Sequence, residues 1–194
     1  SRFDAYYAGE AWTWERMALT RARPIAGDAG LCAALGKRLD EIVASAGGPR
    51  MILADARAMR DRLDREKPPR SVFDVKYMPG GLIYIEFVAQ ARQLVLGRRL
   101  SANTGEALAG LAAQGALSDG AAGWLGDAWR FYGDLLQMLR ITLGEDEDLR
   151  VAGDRGARLI LRAVGESDLD ELEERLKSHA RAVRQVMEEV LAQV

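Results

Sequence analysis

The run from Leu82 to Leu96 is apolar on nearly every side, and this feature limits the possible folds most strongly. Its length suits a helix better than a strand, and a helix without a polar face must be surrounded by other elements. The run therefore predicts a buried central helix. Glu86, Gln90 and Gln93 occur within it at spacings of four and three residues, which places their polar groups along one stripe of that helix.

The residues before this helix predict a turn. Apolar and charged residues alternate from Phe73 to Tyr77, which favours a short extended segment with Phe73 and Asp74 on opposite sides. Pro79 fixes its own φ and has no backbone donor, while Gly80 and Gly81 permit backbone angles that a Cβ atom would forbid. We therefore expect a short extended segment and a Gly-Gly turn near residues 73–81.

Glu86 lies among apolar neighbours, and an unpaired carboxylate is costly to bury. The candidate cations are Arg21, Arg23 and Lys76, so we predict that Glu86 is mostly buried and bonded to at least one of them. On that basis, its loss is expected to cost about 3–5 kcal/mol, since a buried cation would be left without a partner. Tyr84 should lie on a different side, because two helical residues span roughly 200° of rotation.

The rest of the chain also favours helices. Alanine, leucine and arginine recur throughout, and clusters of β-branched residues are scarce. Pro24 ends the first helix, and Asp28 is a candidate N-cap for the second. We expect a single all-α domain over residues 1–194, a bundle of about seven or eight helices. The predicted helices cover 3–22, 29–46, 50–66, 82–96, 104–114, 120–143, 154–164 and 168 to the carboxy terminus.

Composition excludes several classes of protein. The formal net charge of −2 argues against a general nucleic-acid binder or a membrane-surface protein. No apolar run reaches the roughly 18–20 residues that a membrane span needs. The single cysteine, Cys32, cannot form an internal disulfide, which fits a cytoplasmic protein. Because no methionine precedes Ser1, we expect this chain to be a piece of a longer protein.

The polar motifs indicate structure rather than catalysis. Residues 167–170 superficially resemble a metal-binding Asp-x-Asp pair, but they open an amphipathic helix and are expected to cap it. His179 is predicted on the solvated face of a charged helix, so a histidine-based site is excluded. The acidic residues 145–148 indicate a surface loop, and Trp12 and Trp14 are predicted to anchor the core. We therefore predict no catalytic residue and no metal ligand in this chain.

Two stretches resemble the glutamine synthetase adenylyltransferases. Phe73–Lys76, followed by Gly-Gly-Leu-Ile-x-Ile-Glu-Phe-x-x-Gln at residues 80–90, resembles the helical domain of that family. The related uridylyltransferase of the PII signalling protein carries a similar domain. Residues 11–28 are similar to the segment that follows the catalytic core of the adenylylating half. One residue departs from the pattern, since the family usually has an acid where this chain has Tyr84.

The resemblance implies a carboxy-terminal helical domain of an enzyme that transfers AMP from ATP to a tyrosine of glutamine synthetase. Residues 1–24 would lead out of a preceding catalytic core, which is absent from this chain. The implied partners are glutamine synthetase, the PII protein and that catalytic domain. ATP and Mg²⁺ would serve the full enzyme, while no cofactor is expected on this chain, which is predicted to be inactive alone.

Five residues are candidates for contact with the nucleotide or the substrate: Arg21, Arg23, Lys76, Glu86 and Gln90. Guanidinium groups suit phosphate oxygens, and the resemblance places the first arginines close to the catalytic core. The arginines could instead form structural bridges with nearby acids. The alternative function is a non-catalytic structural or regulatory module for protein–protein interaction without nucleotide contact. The two hypotheses differ in whether one polar groove gathers the five residues.

Overall fold

A computed structural model describes residues 2–144 and 148–192 of the chain. Within these ranges the regular structure is entirely helical, which confirms the all-α prediction. A π-helical turn, Tyr6–Glu10, and a 3₁₀ turn, Leu149–Val151, accompany the α-helices. The α-helices of the described ranges are α1 (Arg2–Ala5), α2 (Thr13–Leu19), α3 (Ala29–Ala44), α4 (Pro49–Glu66), α5 (Leu82–Leu96), α6 (Thr104–Ala113), α7 (Asp119–Leu143), α8 (Gly153–Val164) and α9 (Leu169–Leu191).

The helix α5 lies at the centre of the bundle. It packs against α2, α3, α4, α6, α7 and α9. None of its residues is fully exposed, and Ile85 and Val88 are completely buried. The prediction of a central helix surrounded by other elements is therefore confirmed.

Helix starts follow the local sequence closely. The side chains of Asp28, Asn103, Ser118 and Asp168 each accept a hydrogen bond from the backbone N–H three residues further on. These bonds satisfy donors that the first turn of a helix leaves without intrahelical partners. The predicted starts of α3, α6, α7 and α9 agree with the structure to within one or two residues.

The predicted first helix, residues 3–22, is interrupted at residues 11–12, and the described ranges contain nine α-helices where about seven or eight were predicted. Trp12 has an extended backbone and serves as the N-cap of α2, where its N–H donates to Glu15 Oε2 at 2.9 Å. Trp12 and Trp14 are 70 % and 46 % exposed, so the prediction that they anchor the core is wrong. Met17 and Leu19 fill the inward positions of this short helix instead.

The helix α3 is buried only towards its carboxyl end. Leu39, Ile42 and Val43 contribute to the core, whereas Leu31 and Leu35 are exposed despite their core-facing spacing. The spacing predicted the correct helical face, but only the last turns of this face are covered by other helices. No helix of the described ranges is both long and apolar enough to cross a membrane.

Candidate functional site

The segment 71–81 is a compact series of turns, whereas alternation predicted an extended segment. Asp74 explains the difference. It is 2 % exposed, and its carboxylate accepts the backbone N–H groups of Arg70 and Tyr77, each at 3.2 Å. Bonds of this kind close a turn locally and compete with extended structure. Phe73 and Asp74, predicted on opposite sides, are both buried.

This turn caps the amino terminus of α5 with backbone carbonyl groups. The N–H of Leu82 donates to the Val75 carbonyl oxygen at 2.8 Å, and the N–H of Ile83 donates to that of Lys76 at 3.3 Å. The N-cap residue, Gly81, has no side chain that could perform this role. The start of α5 is therefore satisfied within the protein and offers no open anion site.

Gly80 and Gly81 are both required, for different reasons. Gly80 has a φ of +88°, a left-handed backbone conformation that disfavours other residues. Gly81 has an ordinary φ of −82°, but a Cβ atom there would lie 2.4 Å from the carbonyl oxygen of Val75. The second glycine is therefore needed for space, because the capping carbonyl approaches it so closely.

An ion pair joins the segment after α2 to α5. Arg21 Nη1 lies 2.9 Å from Glu86 Oε1, which is one of the three pairings predicted for this carboxylate. The side chain of Glu86 is 30 % exposed, so most of it is buried as predicted, but water still reaches both Glu86 and Arg21, which is 44 % exposed. Partly exposed pairs contribute about 0–1 kcal/mol, because water screens the charges. The expected cost of 3–5 kcal/mol for losing Glu86 is therefore too high.

The other three candidates do not join this pair. Arg23 is exposed and forms no hydrogen bond or ion pair within residues 2–144 and 148–192. The Lys76 ammonium lies 4.9 Å from the ring centroid of Tyr77, and Gln90 is half-buried on α5. Among the described residues, Arg21 and Glu86 are thus the only two of the five candidates that form a polar contact with each other.

Tyr84 lies on another side of α5, as predicted. Its hydroxyl donates to Asp64 Oδ2 at 2.7 Å, and the Arg60 guanidinium lies 6.0 Å from its ring centroid. Burial of the phenol and the hydrogen bond to Asp64 both raise the pKa of Tyr84. Tyr84 thus connects α5 to α4, while Glu86 connects it to the segment after α2.

Arg99, which no sequence pattern singled out, holds the segment after α2 in place. One of its amino groups donates to the Gly36 carbonyl oxygen at 3.2 Å and to Asp40 Oδ1 at 3.0 Å, and the other donates to the Ala22 carbonyl oxygen. These partners are 59 to 77 positions away in the sequence, so no local pattern identifies them. Arg99 and Arg21 together fix the chain that leaves α2.

The side chains of the described ranges do not fit a magnesium site. No group of three or more His, Cys, Asp or Glu residues is placed there to hold a metal ion. Asp168 caps α9 by accepting the Glu171 N–H at 2.9 Å, so the capping prediction for residues 167–170 is confirmed. Of the predicted acidic loop, residues 145–147 lie outside the described ranges, and Asp148 accepts the N–H of Arg150.

His179 is half-buried, so its predicted surface position is wrong. Its ring centroid lies 5.2 Å from that of Phe131 and 5.9 Å from that of Tyr132, because this face of α9 packs on α7. Burial and the nearby charge of Arg175 both lower the pKa of His179. The imidazole therefore serves as part of the interface between the two helices.

Comparisons with known proteins place this chain in a family. The model for glutamate-ammonia ligase adenylyltransferase matches residues 1–38, and that for GlnD PII-uridylyltransferase matches residues 54–191. Bifunctional glutamine synthetase adenylyltransferase/adenylyl-removing enzymes from Brucella suis, Mesorhizobium japonicum and Caulobacter vibrioides are 36 %, 39 % and 37 % identical to the chain over 97 %, 94 % and 93 % of its length. The chain belongs to the glutamine synthetase adenylyltransferase family. It spans 19 % of the length of each of these relatives.

The two sequence stretches that resemble glutamine synthetase adenylyltransferases meet in the structure. The first, residues 11–28, contains α2 and Arg21, and the second, residues 80–90, contains Gly81 and Glu86. Helices α2 and α5 pack together, and the Arg21–Glu86 pair connects the two stretches. The first stretch falls within the match to the adenylyltransferase model, and the second falls within the match to the uridylyltransferase model.

Proposed function

We propose that this chain is the helical domain of a glutamine synthetase adenylyltransferase and that it helps an adjoining catalytic domain to bind its protein substrate. The complete enzyme would transfer AMP from ATP to a tyrosine of glutamine synthetase, with the PII protein as a regulator. The named activity of the relatives supports this proposal, and the chain accounts for only 19–20 % of their length. Catalysis would therefore depend on the remaining part of such an enzyme.

The observation that carries the proposal is a concentration of exposed apolar side chains at the amino-terminal end. Six of the ten large apolar residues exposed in the described ranges lie within residues 1–38, which is the segment that matches the adenylyltransferase model. Exposed apolar side chains that lie side by side typically mark contact surfaces, and Trp12 and Trp14 share one hollow of the surface. The six residues are Phe3, Trp12, Trp14, Ile25, Leu31 and Leu35.

We propose that the surface around Trp12 and Trp14 packs on the preceding catalytic domain. Trp12 and Trp14 line a hollow of about 180 Å³ together with Met59 and Arg62 of α4. Tryptophan and arginine are the side chains that most often dominate protein–protein contacts. The Arg21–Glu86 pair and Arg99 fix the segment that follows α2. A shift of α2 caused by the catalytic domain would therefore also move the central helix α5.

A role without nucleotide contact is the second candidate, and a specific observation favours it. Of the five proposed contact residues, only Arg21 and Glu86 are joined, and Glu86 already neutralises Arg21. The described residues also contain no group of three or more His, Cys, Asp or Glu residues that could hold a metal ion by itself. These observations support protein contact rather than ATP binding as the role of this domain.

The test uses an enzyme in which this chain follows its catalytic domain. In that enzyme, Trp12→Ala/Trp14→Ala should lower AMP transfer to glutamine synthetase by about tenfold or more, since two anchoring aromatic side chains are lost. Trp124→Ala is the matched control, because Trp124 is also exposed but lies on α7, outside the matched segment. Equal effects of the two changes would reject the proposed surface.

The role of the nucleotide is tested separately. The isolated chain, incubated with ATP, Mg²⁺ and glutamine synthetase, should leave the synthetase unmodified, and any turnover would refute a non-catalytic role. In the longer enzyme, Arg21→Gln should leave the KM for ATP unchanged if the domain makes no nucleotide contact. A severalfold rise in that KM would favour the hypothesis in which Arg21 reaches the ATP.

A further inference from the structure

A cleft between the turn before α5 and the helix α9 has the properties of a ligand site. It encloses about 410 Å³, which lies within the usual range for sites of small molecules. Its two walls meet where Gly80 of the turn approaches the backbone of Ala180 on α9. Its lining residues are Pro69, Ser71, Val72, Met78, Pro79, Leu176, Lys177, Ala180, Arg181 and Arg184.

The rim of this α9 cleft is cationic. Lys177, Arg181 and Arg184 follow one another at spacings of four and three residues, so they share one face of α9. None of the lining residues is acidic. Within the described ranges, Lys177 pairs with Glu174, whereas Arg181 and Arg184 form no ion pair, and the one hydrogen bond of Arg184 is to the Ala180 carbonyl oxygen of its own helix.

The floor of the cleft is apolar and firmly packed. Met78 and Leu176 are nearly completely buried, and Val72 is packed against the same core. An anion that carries a hydrocarbon group would find apolar contact on the floor and two guanidinium groups at the rim. Guanidinium forks match the planar geometry of a carboxylate, and a single negative charge is easier to desolvate beside an apolar floor than a phosphate dianion.

We propose that the α9 cleft binds a small organic carboxylate. The acid group pairs with Arg181 and Arg184, and the hydrocarbon part lies on Val72 and Met78. This site lies apart from Trp12 and Trp14, so it is independent of the proposed contact with a catalytic domain. The ligand also contacts the turn that caps α5, which couples the occupied cleft to the central helix.

The experiment measures binding of phenylacetate to the chain by methyl NMR, with phenylacetamide as the uncharged control. The chain has six methionines, and a Met78→Leu variant assigns the methyl signal of Met78. Phenylacetate should shift that signal in a saturable way, while Met51, which is exposed on α4, reports non-specific binding. The affinity for the amide should be at least about tenfold lower than for the acid, since the amide cannot form charge-assisted bonds.

Two double variants test which arginines cause the preference for the acid over the amide. Arg181→Gln/Arg184→Gln should bind the acid and the amide equally well, and its thermal midpoint should stay unchanged because both arginines are exposed. Arg155→Gln/Arg158→Gln removes two exposed arginines of α8 and should keep the preference. The proposal is overturned if Met78 shows no saturable shift with millimolar phenylacetate, if Met51 shifts equally, or if the preference survives Arg181→Gln/Arg184→Gln.

Discussion

A Cβ atom on Gly80 would lie 2.3 Å from the carbonyl oxygen of Ala180. The turn before α5 therefore touches the backbone of α9 through a residue that has no side chain. Gly80 also adopts a φ of +88°, which other residues rarely adopt. Space and backbone conformation thus require glycine at this position independently of one another.

Replacing Gly80 by alanine should lower the free energy of unfolding by about 2–4 kcal/mol, because the change combines backbone strain with a clash against α9. Urea unfolding measures this difference. Gly36→Ala is the matched control, since Gly36 lies within α3 and has open space around its Cβ position. That change should stabilise the protein by about 0.5–1 kcal/mol, and similar effects of the two substitutions would contradict the structure.

The Arg21–Glu86 pair should show a modest coupling in a double-mutant cycle. With Arg21→Gln, Glu86→Gln and the double variant, the expected coupling free energy is about 0.5–1 kcal/mol, because both side chains are partly exposed. The coupling should decrease as salt is added. The more exposed Arg62–Glu66 pair, at 2.8 Å, serves as a comparison and should show about 0.3 kcal/mol. A coupling of zero for the first pair would argue against the bridge.

Tyr84→Phe should lower the free energy of unfolding by about 1–2 kcal/mol, because it removes the hydrogen bond from the hydroxyl to Asp64 and leaves the ring in place. Chemical denaturation of the variant measures the loss. The raised pKa of Tyr84 gives a second observable, since its phenol should ionise at higher pH than free tyrosine in a spectrophotometric titration.

Tyr132→Phe serves as the comparison with Tyr84→Phe, because it also removes a tyrosine hydroxyl and leaves the ring in place. The Tyr132 hydroxyl is buried and has no hydrogen-bond partner among the described residues. Removing it should leave stability unchanged or increase it, because a desolvated polar group without a partner is unfavourable. If both tyrosine variants lose stability equally, the assignment of the Tyr84 hydrogen bond is wrong.

The half-buried His179 should make stability depend on pH in the mildly acidic range. Its folded-state pKa is lowered below the ordinary value of 6.5, so the unfolded chain binds a proton more readily than the folded protein. The free energy of unfolding should therefore fall as the pH drops below 6.5 and passes through the folded-state pKa. The titration of this single histidine is followed directly by NMR.

His179→Gln is the control for this pH dependence. The variant lacks the imidazole, so its stability should change less between about pH 7 and pH 5 than that of the unmodified chain. A histidine signal that titrates at or above 6.5 would contradict the observed packing against Phe131 and Tyr132.

Features that depend on a few neighbouring residues could be predicted from the sequence. The apolar run from Leu82 to Leu96 predicted the buried central helix, and Asp28 and Asp168 predicted helix starts, because caps and periodicity act within one or two turns. The sequence also predicted a turn at Gly80 and Gly81, because the positive φ of Gly80 is a local backbone property, whereas the close approach of Gly80 to α9 could not be predicted.

The tertiary structure was needed to establish which distant groups meet. It selected Arg21 among the three cations proposed for Glu86, joined Tyr84 to Asp64, and exposed Trp12 instead of burying it. Periodicity states which face of a helix is apolar, but not which neighbour covers that face or how far the cover extends. These contacts depend on how the helices are placed relative to one another, and that placement follows from the packing of the whole core rather than from any single segment.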